Sequence, residues 1–252
     1  MRDTRGIMAR ASILEYFREN SRPAGEIAVT WRRGYRTGRW RYSELFSRAA
    51  SFSRELETRG LAPGDRVLLW GENTGEWVAA FLGCMFHGVI VVPMDVIADP
   101  DFARRVAQQS GVRLAVADRR LGRIPLGPAI PAICLENLGE ATKPSSNAPF
   151  QPIAAKREDV VEIVFTSGTT AEPRGVVLTH GNLLSSIEPI ETEFLRYRRY
   201  ERIFHPLRFL DLRPLSHVFG QLLGIFLQQI LGATAVFTDP FNPTEVAENI
   251  HQ

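Results

Sequence analysis

The sequence predicts an α/β fold in which parallel-sheet and helix layers stack, and three observations carry that prediction. Short β-branched runs alternate with helical patterns between residues 65 and 118, and crossover helices are what parallel strands require. A chain of 252 residues with 44% apolar and 10% aromatic content can bury a sizeable core. A Pro, Ala, Ser and Asn-rich stretch at 139–157 then separates this unit from a second run of strand, loop, strand and helix.

Taken in order, EIAVTWRRGYRTGRWRYSEL (26–45) patterns as a hairpin about a Gly-containing turn, running into a helix. Ser43 precedes Leu45, Phe46, Ala49, Ala50, Phe52 and Leu56 at helical spacing, and Gly60 is placed to end that helix. GDRVLLWGEN (64–73) reads as a strand after a Pro-Gly turn, NTGEWVAAFLGCMFHG (73–88) as a helix and VIVVPMD (89–95) as a strand. ADPDFARRVAQQSG (98–111) is a third helix and VRLAVAD (112–118) a third strand. After the linker, Asp159 leads into VVEIVF; GVVL (175–178) is strand-like, and HGNLLSSIEPI (180–190) starts a helix.

Composition excludes several classes. A formal net charge of +2 supports no global attraction to nucleic acid or an anionic membrane, even with a pI of about 8.7. Cys84 and Cys134 stand alone, with no CxxC and no His/Cys cluster at ligand spacing, so a reduced protein without structural zinc is expected. The N-terminus lacks a continuous apolar core and a cleavage site. The apolar stretches 77–94 and 220–237 are interrupted by His87 and Gly88, and by Gln221, Gln228 and Gln229. Buried elements of a cytoplasmic protein, not membrane spans, are the expectation.

The stretch TSGTTAEPRG (166–175) carries the functional question. It is not a Walker A loop: six residues separate Gly168 from Gly175, the basic residue precedes the last glycine, and a strand follows. Gly168 nonetheless lets backbone N–H groups turn inward, Thr166, Ser167, Thr169 and Thr170 supply hydroxyls, and Arg174 adds a fixed positive fork. On composition alone, a polar turn and a phosphate loop stand equal.

The stretch resembles the signature loop of the AMP-forming acyl-adenylate synthetases, TSGTTG-x-PKG. Residues 40–95 resemble, in order, that family's Tyr-x-Glu-Leu helix, Gly-Asp-x-Val strand, Asn-x-x-Glu-Trp helix and Gly-x-x-x-x-Pro strand. RPLSHVFGQLLG (213–224) resembles the next motif, in the Pro-Leu-Ser-His form of fatty-acid CoA ligases. The resemblance covers roughly residues 10 to 250. It implies the stacked layers of the adenylate-forming N-terminal domain, truncated: about 61–240 as a first α/β subdomain, 25–60 and 241–252 as pieces of an incomplete second, and no C-terminal domain.

The resemblance further implies a chemistry. A carboxylic acid, here a fatty acid, attacks the α-phosphate of ATP to give an acyl adenylate, and coenzyme A displaces AMP. The loop and Mg²⁺ must hold and neutralise the β,γ-phosphates while the α-phosphate stays reachable. By position, Thr166, Ser167, Gly168, Thr169, Thr170 and Arg174 take the phosphates, and His217 and Phe219 line the acyl site. Within the family, transfer to a carrier protein is the alternative; outside catalysis, it is a half-domain binding nucleotide or acyl chain without turnover.

Two positions depart from the pattern. Ala171 replaces a glycine, costing about 1 kcal/mol if that backbone is left-handed. Arg174 replaces lysine, trading a mobile point donor for a planar fork. The family's catalytic lysine, ribose aspartate and Mg²⁺-binding acid have no counterpart in these residues; Lys143 and Lys156, the only lysines, lie in or beside the linker. The chain alone is therefore expected to be inactive. Six arginines between Arg196 and Arg213 lie among aromatics, and the simpler reading is a solvated connector whose stems cover apolar surface.

Overall fold

The computed structural model describes residues 10–19, 24–121, 126–127, 130–139, 151–166, 172–204, 207–238 and 246–247. Two sheets organise them. A six-stranded sheet has the order β6-β5-β3-β4-β7-β8, formed by β3 (Arg66–Trp70), β4 (Ile90–Met94), β5 (Val112–Ala117), β6 (Ala132–Cys134), β7 (Val160–Thr166) and β8 (Arg174–Thr179). All its pairings are parallel except β7 with β8. A four-stranded sheet has the order β2-β1-β10-β9, with β1 (Ile27–Arg33), β2 (Arg36–Arg41), β9 (Arg208–Asp211) and β10 (Thr234–Phe237).

The helices begin and end where local chemistry dictates. In α3 (Gly75–His87), Thr74 Oγ1 accepts the Trp77 N–H at 3.2 Å, and Gly88 closes the helix at φ 77°. In α4 (Pro100–Ser110), Asp99 caps two N–H groups, proline takes the first turn, and Gly111 ends the helix. The helix expected after Ser43, α2 (Tyr42–Thr58), instead starts at Tyr42. Glu44 there accepts the Arg41 N–H at 2.9 Å, so the helix begins two residues earlier than a Ser43 cap would allow.

The two faces of the six-stranded sheet bury different helices. Val67 and Leu69 join the large core with α2 and α3, whereas Leu68 and Trp70 join a second core with Ala103, Val106 and Ala107 of α4. Alternation along β3 therefore sends its two side-chain sets into separate layers. Helix α3 is buried along nearly its whole length, which accounts for its all-round apolar sequence. At Gly83 a Cβ would stand 2.7 Å from the Ala49 carbonyl, so only glycine permits α2 and α3 to approach this closely.

Sheet membership differs from the expected partition at 61–240. β9 and β10 lie within that range in sequence but pair with the N-terminal hairpin, Val29 opposite Ala235 and Thr30 opposite Val236. The physical reason is that every β10 residue is buried, so no alternation marks which sheet it joins. Hairpin β1–β2 forms as the sequence predicts, and β7 and β8, the two strand-like runs on either side of 167–173, pair antiparallel. Among the described residues no helix is long and apolar enough to cross a membrane.

Candidate active site at the carboxyl ends of the parallel strands

Helices α3 and α4 leave the adjacent strands β3 and β4 toward opposite faces. A crevice therefore opens beyond the carboxyl ends of these two strands, the position where open α/β sheets bind ligands. Residues 213–217 lie across it. Asn73, just past β3, donates through Nδ2 to the Arg213 carbonyl at 2.7 Å and accepts the Leu215 N–H through Oδ1 at 2.8 Å. Asp95, just past β4, accepts from Ser216 Oγ at 3.3 Å, and its Oδ2 lies 3.5 Å from His217 Nε2. Asp95 is itself fixed, because its carbonyl accepts from Trp70 Nε1 at 2.8 Å and its Oδ1 accepts the Ile97 N–H at 3.1 Å.

This arrangement leaves His217 facing solvent, with 61% of its side chain exposed. It is not a core histidine. Phe219 is likewise half exposed, and the Arg213 guanidinium lies 4.9 Å from its ring centroid. His217 and Phe219 thus stand at the start of α6 (Val218–Gln221), which runs through a π-helical turn (Leu222–Leu227) into α7 (Gln228–Leu231).

Of the residues assigned to phosphate, the structure describes two. Thr166 ends β7 and pairs with Arg174, which opens β8; both are exposed, and together they frame the hairpin tip. Ser167, Gly168, Thr169, Thr170 and Ala171 lie outside the described residues. The strand feeding this tip connects directly to the crevice segment. Buried Gln221 donates through Nε2 to Glu162 Oε2 on β7 at 2.8 Å and to the Leu215 carbonyl at 3.0 Å. Burial pushes the Glu162 carboxyl up to about 7.

Asn73, Asp95, Glu162 and Gln221 were not singled out as site residues by sequence. The signal for Glu162 was present, since it is the lone acid in the apolar run VVEIVF. No three His, Cys, Asp or Glu side chains come together as a cation site among the described residues.

Residues 17–252 match the family profile described as AMP-binding enzyme. The chain belongs to the AMP-binding enzyme family. Among curated members, it is 28% identical over 217 residues to a peroxisomal long chain acyl-CoA synthetase 7 of Arabidopsis thaliana, covering 73% of this chain and 29% of that protein. It is 28% identical over 167 residues to the fatty acid–[acyl-carrier-protein] ligase ScoC of Streptomyces coeruleorubidus, covering 61% of this chain and 31% of ScoC. Among solved members, it aligns with a fatty acyl-adenylate ligase from L. pneumophila bound to acyl adenylate and pyrophosphate, at TM-score 0.73 and 26% identity over 95% of this chain and 42% of that one. This AMP-binding chain therefore spans less than half the length of these three relatives. Its α/β layers are those of the adenylate-forming N-terminal portion.

Proposed function

We propose that this chain supplies the phosphate-binding hairpin and the acyl-facing segment of an enzyme that joins a fatty acid to AMP and passes the acyl group to coenzyme A. The observation that carries the reading is one of placement. The segment RPLSHVF is pinned across the carboxyl ends of β3 and β4, and Glu162 with Gln221 ties it to the strand that feeds TSGTTAEPRG.

Each residue then has a task. Arg174, exposed at the start of β8 and paired with Thr166, would set a fixed positive fork against the β,γ-phosphates, with the Thr166 hydroxyl on the facing strand. That neutralisation lets an anionic carboxylate approach the α-phosphate. His217 and Phe219 offer a polar edge and an aromatic face to the acid, held in place by Asp95 and Arg213. Mg²⁺ would share the phosphates, with acidic ligands that the family resemblance does not place in these residues. We assign about residues 61–207 to a first subdomain, in place of 61–240, because β9 and β10 pair with the N-terminal hairpin.

The 252 residues alone are expected to form no adenylate, because the residues here include no counterpart of the family's catalytic lysine. Similarity to both the acyl-CoA synthetase and the acyl-carrier-protein ligase keeps a second acceptor in view. Supplying the polypeptide of the complete gene with ATP and palmitate, then with coenzyme A or a phosphopantetheinylated carrier protein, separates them. Acyl-CoA formation supports the reading; acyl transfer to the carrier alone would replace it.

A further inference from the structure

Glu162 and Gln221 are both fully buried, and each keeps one oxygen, Glu162 Oε1 and Gln221 Oε1, without a donor among the described residues. Two buried, unsatisfied acceptors on one hydrogen-bonded pair are costly, since each forfeits its hydration. An ionised Glu162 offers acceptors only and cannot relieve this. A neutral Glu162 carries a hydroxyl, and Gln221 Oε1, on the amide that already touches the same carboxyl, is the buried acceptor in need of one. One proton would satisfy both oxygens.

The pair occupies a junction. Glu162 lies on β7, opposite Val91 of β4 and Leu178 of β8, four residues before Thr166. Gln221 ends α6, and its amide nitrogen also holds the Leu215 carbonyl at 3.0 Å, next to Ser216 and His217. The charged or titratable groups on or flanking the elements packed against Glu162 are Arg174 on β8, His180 just after it, Asp95 after β4 and His217 before α6, with Asp159 just before β7 itself. None of them shifts its acidity; burial raises it, opposed only by the Gln221 hydrogen bond.

We propose that Glu162 works as a neutral acid whose proton, shared with Gln221, locks the strand entering the phosphate loop to the turn that carries Ser216 and His217. Glu162 is thus a positioning residue, acting through Gln221, and the proposal rests on the functional reading of that turn given above. Ionisation sets a carboxylate against the amide oxygen and drives the Gln221 side chain away from the Leu215 carbonyl, so the turn loosens as the proton leaves.

The test uses the 252-residue chain without nucleotide or acid. Infrared spectra recorded from about pH 5 to about pH 9 should show a carboxylic-acid carbonyl band that disappears with a midpoint near 7. The Leu215 and Ser216 amide resonances should move with the same midpoint. In Glu162→Gln, which keeps a donor toward Gln221 and carries no charge, both transitions should vanish. If that variant does not fold, coincidence of the two wild-type midpoints decides. A carboxylate ionised throughout this range, or a band whose loss leaves Leu215 and Ser216 unmoved, would overturn the proposal. Neither readout depends on adenylation, so failure here leaves the functional reading standing, and failure of adenylation leaves the link standing.

Discussion

Asn73 and Leu215 are 142 positions apart, and the Leu215 N–H donates to Asn73 Oδ1 at 2.8 Å while Asn73 Nδ2 donates to the Arg213 carbonyl at 2.7 Å. A single side-chain amide thereby fixes the crevice segment to the end of β3. Asn73→Ala should cost about 1–3 kcal/mol, because it removes both bonds and leaves a partly buried N–H without its acceptor. Urea unfolding of the chain measures this. Asn73→Asp, which keeps the acceptor and loses the donor, should fall between wild type and alanine.

The His217 side chain approaches Asp95 and is largely exposed. His217→Ala should therefore change stability by less than about 1 kcal/mol, as for a surface substitution. In the complete polypeptide it should alter selectivity among fatty acids of different chain length. A large drop in the unfolding midpoint with unchanged selectivity would assign His217 to the core instead.

Two buried groups predict opposite pH dependences. Burial lowers His180 from its ordinary 6.5 to about 4, so its stabilising contribution is present above 6.5 and lost as pH falls through about 4. Burial raises Glu162 from 4.5 to about 7, so its contribution is full below 4.5 and lost as pH rises through about 7. Thermal unfolding across this range should show His180→Leu losing the acid-side decline and Glu162→Gln losing part of the decline toward neutrality. Profiles parallel to wild type in both variants would contradict the assignment.

Gly83 tests the packing of the layers. Because its Cβ position stands 2.7 Å from the Ala49 carbonyl and 2.9 Å from the Phe52 ring, Gly83→Val should destabilise by at least about 1–3 kcal/mol through overpacking. Denaturant melts of the chain read this directly, and a neutral result would mean that α2 can slide.

Much of the first sheet was legible because each element carries its own local signals. Asp99 and Pro100 open α4, Gly111 closes it, and β3 to β5 are short apolar runs at the expected places. Partners distant in sequence were not legible. The Thr234 hydroxyl bonds the Ile27 carbonyl across 207 positions, and nothing in TAVF names β1 as its neighbour. At the site, the motif residues His217 and Phe219 stood out by pattern, whereas Gln221 read only as a polar break in an apolar stretch. Its role depends on Glu162, 59 positions away, and Glu162, though conspicuous as the lone acid in VVEIVF, carries no local signal that names Gln221 as its partner.

In the proposed enzyme the β7–β8 hairpin holds the phosphates of ATP for attack by a fatty acid. ATP–pyrophosphate exchange by the polypeptide of the complete gene, with and without palmitate, tests it most directly when wild type is run beside Arg174→Ala and Arg174→Lys. Exchange should require the acid, fall about a hundredfold or more in the alanine variant and recover much of its rate in the lysine variant. Exchange that proceeds without acid, or that is unchanged in Arg174→Ala, would contradict it.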